Sequence, residues 1–213
     1  MQISGEALFN QSRTLIEEAT KLPPNSPEFN QKLFHAEEGL NKLLNETIHH
    51  EGSVGHILFY LACVQMKRQA HAMAIIVFRE AIKHKPDFIE AMSNLGFVYK
   101  EVGLFDEAGK CFKKVWEMVK KNPDGIPPKD KSDYLTNIGS LLIQNGTPKE
   151  ALKYFNDALA LEGCGDTTKW NKALALLEMG EYEEGFKLYD FGSRMERTKD
   201  RKYGKQDIKA MGS

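Results

Sequence analysis

Four helical phrases of one shape recur along this chain, and their period limits what it can fold into. Ala74–Phe78–Ala81, Ala108–Phe112–Val115, Ala151–Phe155–Ala158 and Gly185–Tyr189–Gly192 each step by four and then three residues, which traces one face of a helix. The offsets between successive phrases are 34, 43 and 34 residues. A second series keeps the same period about a dozen residues upstream: Leu61-Ala62, Leu95-Gly96, Ile138-Gly139 and Lys172-Ala173. Between the two series stand Gly103, Gly146 and Gly180, with Gln69 in the first unit. Each unit therefore reads as helix, turn, helix. A small residue on each helix permits close approach, and Leu, Tyr and Phe fill the space beside it. No such pair buries its apolar face alone, so the units must stack to make a core.

The spacing predicts units at 55–88, 89–122, 132–165 and 166–199, with an insertion near 120–131. That insertion, KKNPDGIPPKDK, reads as a turn at Asn122-Pro123-Asp124-Gly125, and Pro127-Pro128 is expected to prevent helix. The helix before it is expected to run an extra turn through Trp116 and Val119. Local signals agree with the register. Asp87 is expected to cap a helix that begins Phe88-Ile89-Glu90, with Glu90 at its third position, and Thr147-Pro148-Lys149-Glu150 reads as a capping box with Pro in the first turn. Residues 1–54 hold two weaker helical patterns, one over Gly5 to Lys21 and one opening at Ser26-Pro27, read as a degenerate repeat that caps the array. Residues 200–213 are polar and basic and are expected to be a frayed tail.

A helix–turn–helix of this length, with Gly or Ala facing aromatic residues, resembles the tetratricopeptide repeat family over about two-thirds of the chain. The resemblance implies an all-α, right-handed superhelical α-solenoid whose first helices line a concave groove. In that register the groove side should carry His56, Phe59, Cys63, Met66 and Lys67 in the first unit. The second adds Glu90, Ser93, Asn94, Phe97, Lys100 and Glu101; the third, Asp133, Thr136, Asn137, Ser140, Ile143 and Gln144. The fourth adds Thr167, Trp170, Asn171, Leu174 and Glu178. Asn94, Asn137 and Asn171 hold one place in three consecutive units. They resemble the asparagine ladder of the O-linked N-acetylglucosamine transferase repeats, where each carboxamide grips an extended peptide. A carboxamide offers a donor and an acceptor to any peptide unit. The alternative is that Asn serves local structure there.

Two further resemblances bear on the partner. Repeat domains that clamp the C-terminal carboxylate of heat-shock proteins use Lys and Arg at groove places that here hold Phe59, Cys63, Asn94, Asp133 and Asn137. That function is not expected. Trp170 to Leu177, Gly180 and Tyr182 to Tyr189 are similar to the last repeat before the glycosyltransferase region of bacterial and phage repeat proteins, with Arg194, Arg197 and Tyr203 in partial agreement. Lys172 stands where that pattern has Leu.

Chemistry-bearing patterns are sparse. The chain shows no Gly-rich phosphate loop, Cys-x-x-Cys pair, His-Glu-x-x-His or nucleophile elbow. His49, His50 and His56 gather near a turn without the spacing of a metal site. Lys+Arg 29 against Asp+Glu 30 leaves a net charge of −1, which argues against nucleic acid. No apolar run approaches the roughly 20 residues that cross a bilayer, the N-terminus does not read as a signal peptide, and Cys63, Cys111 and Cys164 fit a reducing cytoplasmic compartment. The expected function is thus a non-catalytic scaffold, without cofactor or metal, that binds a protein or extended peptide. Asn94, Asn137, Asn171, Phe59, Phe97, Trp170, Lys100 and Lys67 are the candidate contacts. The alternatives are the recognition array of a longer glycosyltransferase-like enzyme and a module that self-associates through the solenoid ends.

Overall fold

A computed structural model of the chain describes residues 4–46 and 51–196. Among these residues there are ten helices and no strands, an all-α solenoid as the period implied. The helices are α1 (Gly5–Ala19), α2 (Pro27–Glu46), α3 (Glu51–Lys67), α4 (His71–His84), α5 (Ile89–Glu101), α6 (Phe105–Lys121), α7 (Pro128–Gln144), α8 (Pro148–Leu159), α9 (Asp166–Glu178) and α10 (Tyr182–Glu196). They pair as α1–α2, α3–α4, α5–α6, α7–α8 and α9–α10, and they form two compact units divided at Pro127/Pro128. The tail at 200–213, together with Arg197 and Tyr203, lies outside the described residues, as do His49 and His50.

The small-against-large rule becomes visible as distance. A Cβ placed on Gly96 of α5 would stand 2.7 Å from Phe112 Cε1 of α6, and one on Gly139 of α7 would stand 2.5 Å from Phe155 Cε1 of α8. Glycine is what lets each aromatic ring approach its partner helix this closely. Ala74, Phe78 and Ala81 are fully buried, as are Ala151, Phe155 and Ala158. The turn position has its own requirement. Gly103, Gly146 and Gly180 adopt φ of 80°, 72° and 82°, and Gln69 at the same place is forced to φ 59°.

The first unit holds α1–α6. The pair α1–α2 packs onto α3 through a core of Leu33, Ala36, Leu40, Ile57 and Leu61. Across the same joint the half-buried Glu37 carboxylate of α2 accepts from Gln65 Nε2 at 2.7 Å and from Arg68, both near the end of α3. The second unit holds α7–α10. There the joint between repeats carries a hydroxyl pair, Thr136 Oγ1 and Thr168 Oγ1 2.8 Å apart, while within the α7–α8 pair Ser132 Oγ donates to the Ala158 carbonyl at 3.1 Å.

Several local expectations are corrected. Phe88, not Asp87, precedes the first residue of α5, and no side chain caps that helix. Phe88 is buried, and its ring lies 4.8 Å from Phe59, so core packing sets the boundary. Thr147 does hold the cap position of α8, but its hydroxyl donates backward to the Leu142 carbonyl at 2.9 Å and accepts no N–H of α8. Pro128 does not prevent helix. It opens α7, where its missing N–H is not needed. The insertion thus shrinks to a short turn, in which Asn122 Oδ1 accepts from the Gly125 N–H at 3.2 Å.

Candidate functional site

The first helix of each pair presents its less buried side as the candidate surface, and this surface is taken unit by unit. In the first unit it lies on α3 and α5. Phe59 is half-buried, held edge-on to Tyr60 at 5.1 Å and tilted over Phe88 and Phe78. Phe97 is half-buried, with the Lys100 ammonium 5.1 Å from its ring centroid, a cation–π arrangement. Lys100 also lies 3.8 Å from Glu101, and its side chain is only 15% exposed. Lys67, at the last turn of α3, is half-buried as well.

Asn94 is the most informative residue of this unit. Its Nδ2 donates to Cys63 Sγ of the preceding repeat at 3.7 Å. Cys63 is therefore not a groove residue but a buried acceptor. Burial pushes its thiol up to about 12, against the opposing pull of the Lys67 charge and the Asn94 hydrogen bond. A thiol held so far above neutrality is a poor nucleophile. Cys111, raised to about 11 mainly by burial, is equally unsuited.

In the second unit the surface lies on α7 and α9. Asn171 Nδ2 donates to Ser140 Oγ at 2.8 Å, repeating in better geometry the contact that Asn94 makes. Asn137, half-buried on α7, belongs to the same unit as Asn171, whereas Asn94 belongs to the first. Trp170 is half-buried with its ring 4.5 Å from Tyr189 of α10. Thr136 turns out to be buried, taken up by its bonds to Ser132 and Thr168, and Ser93 of the first unit is buried too. Neither contributes to the surface.

Two features escaped the sequence. Tyr60 occupies in the first repeat the place that Asn94, Asn137 and Asn171 hold later; it packs edge-on against Phe9 of α1 at 5.3 Å, and burial raises its phenol. The acceptors Cys63 and Ser140 also share one repeat position, and a comparison of the two offsets, both 31 residues, would have exposed the pairing. Lys172, the departure from the glycosyltransferase-linked pattern, donates to Glu184 of α10 at 2.8 Å.

Among the described residues no group of three His, Cys, Asp or Glu side chains is placed to hold a metal. His56 instead lies 3.3 Å from Lys85 Nζ and packs against Phe88. No described helix is long and apolar enough to cross a membrane.

Comparison with known proteins agrees with this architecture. The profile of the tetratricopeptide repeat matches residues 89–118 and 132–163. The chain is 34% identical over 80 residues to the uncharacterized protein MJ0572 of Methanocaldococcus jannaschii, which covers 37% of this chain and 93% of that protein. Among solved structures it is similar to a tetratricopeptide repeat protein from Parabacteroides merdae, with TM-score 0.61, 20% identity, and 88% and 68% of the two chains covered. It is also similar to the putative kinesin light chain repeats of Podosopora anserina, with TM-score 0.66, 14% identity, and 94% and 100% covered. A third likeness is to pilF of Pseudomonas aeruginosa, with TM-score 0.64, 19% identity, and 88% and 77% covered. At these identities the structural likenesses establish the fold.

Proposed function

The chain belongs to the tetratricopeptide repeat family, and from that premise we propose that it is a non-catalytic scaffold that binds an extended peptide segment of a partner protein. The observation that carries this reading is a pairing seen in each unit. Each first-helix surface carries a part-buried carboxamide and, close to it along the helix, a part-buried aromatic ring: Asn94 and Phe97 one turn apart in the first, Asn171 and Trp170 adjacent in the second. An amide whose nitrogen donates to its own protein still offers its carbonyl oxygen, an acceptor for a peptide N–H. The aromatic rings, and the Lys100 ammonium over Phe97, add apolar area and charge that select among peptides. Phe59, Lys67 and Asn137 complete the proposed contact set.

The test is a peptide array probed with the purified chain, its Asn137→Ala/Asn171→Ala variant and a Phe97→Ala/Trp170→Ala variant. The reading expects a common set of peptides bound by wild type and lost from both variants while the helical circular dichroism is kept. Unchanged peptide selection by both folded variants would overturn it.

A further inference from the structure

The second unit shows how one repeat receives the next. α9 packs against both α7 and α8. Thr136 meets Thr168, Ser140 meets Asn171, and Leu152 with Ile143 packs around Ala151, Phe155 and Ala175. Advancing each receiving residue by the 34-residue period gives the matching face of the last repeat: Trp170, Leu174, Leu177, Phe186 and Tyr189. Two hydroxyls have been replaced by indole and isobutyl groups, so this face is more apolar than the one already covered by α9.

The exposure differs in the same direction. Leu152 is half-buried, but its counterpart Phe186 is 49% exposed, and the adjoining Tyr182 is 62% exposed. These two rings stack on each other at 6.3 Å with 23° between planes, making a flat aromatic stripe along α10. A contiguous exposed stripe of this kind marks a contact surface.

The charges beside the stripe identify what covers it. Glu183 and Lys187 sit one residue along from Tyr182 and Phe186, both largely exposed, and pair with each other at 2.7 Å within the helix. Read antiparallel against itself about a two-fold axis, α10 places Glu183 opposite Lys187 of the partner subunit, and the reverse. Both charges are then satisfied across the seam, the self-complementary arrangement of an isologous contact. A head-to-tail contact onto α1 would meet a polar side instead, because α1 exposes Asn10, Gln11, Thr14 and the Arg13–Glu17 ion pair but no exposed aromatic ring. We propose that the apolar face of α9–α10 is closed by a second copy of this chain, through antiparallel pairing of α10 with its counterpart. This rests on the last repeat alone and is independent of the peptide-binding reading.

Sedimentation of the full chain over a concentration series provides the test. A monomer–dimer equilibrium is expected, and Phe186→Asp should weaken it on the order of 30-fold or more, the loss typical of truncating a central aromatic anchor. Tyr182→Glu, at a still more exposed site, serves where Phe186→Asp fails to fold. Charge exchange makes the geometry specific. Glu183→Lys alone and Lys187→Glu alone should each weaken the dimer, and an equimolar mixture of the two variants should restore it as a heterodimer. Three outcomes overturn the proposal: a monomer at every concentration, a dimer indifferent to both aromatic substitutions, or a monomer whose Phe186→Cys thiol is protected from alkylation. The last would show that another part of the same chain covers the face.

Discussion

Asn171 of α9 donates from Nδ2 to Ser140 Oγ of α7 across 2.8 Å, and this bond ties one repeat to the one before it. The equivalent bond from Asn94 to Cys63 has a softer acceptor and a 3.7 Å reach. Asn94 and Asn171 are thus each a fastener between repeats. Asn171→Ala should destabilise the chain by about 1 kcal/mol, the usual cost of a part-buried neutral hydrogen bond. Asn94→Ala should cost less, since sulfur accepts weakly. Urea titration of the two variants checks the order.

Gly139 and Phe155 show what the close approach of paired helices requires. Gly139→Ala would drive a methyl to 2.5 Å from the Phe155 ring, and the ring is fully buried with no free side to move toward. Overpacking of this kind costs about 1–3 kcal/mol. Adding Phe155→Leu should recover part of the loss, so the two changes are non-additive by more than about 0.5 kcal/mol. A double-mutant cycle in urea measures the coupling.

Gln69 fills the turn position that three other repeats assign to glycine, at φ 59°. Gln69→Gly should stabilise the chain by about 0.5–1 kcal/mol through relief of the left-handed backbone. Gly103→Ala, at φ 80° with open space around its Cα, should destabilise by about 1 kcal/mol for the same reason in reverse. Thermal unfolding of both variants reads the two signs.

Cys63 makes stability fall in alkali. Its folded thiol is raised from an ordinary value of 9.0 to about 12 by burial, so the unfolded chain gives up a proton that the folded chain keeps. The stabilisation is fully present below about pH 9 and is lost as pH rises toward about 12. The urea midpoint of the wild type should therefore drop more steeply between about pH 8 and pH 10.5 than that of Cys63→Ala. Equal slopes would show that this thiol carries none of the dependence.

Most of the fold can be read from spacing because the relevant physics is local to a helix pair. Gly96 and Phe112 recur at a fixed separation since a ring needs a vacancy opposite, and that need repeats wherever the pair repeats. The expected cap at Asp87 failed because a buried Phe88, wedged against Phe59, outweighed one exposed hydrogen bond. Pro128 was misread for a related reason: a proline is compatible with the first turn of a helix, and only the chain beyond it decides which side of the boundary it occupies.

The candidate surface was legible as positions but not as contacts. Listing every third or fourth residue of the first helices selected Cys63, Ser93 and Thr136 along with Phe97 and Trp170, because helical phase alone cannot separate a groove wall from an interface with the neighbouring repeat. Amino-acid order by itself determined the period, the pairing of helices and the small residues that permit it, all of which depend on separations within one chain segment. Tertiary structure decided that Asn94 and Asn171 bond to the preceding repeat, that Thr136 closes on Thr168, and that the last aromatic stripe stays uncovered among the described residues. Those outcomes depend on which donor meets which acceptor, and which ring meets a partner, once separate helices are brought within a few ångströms of one another.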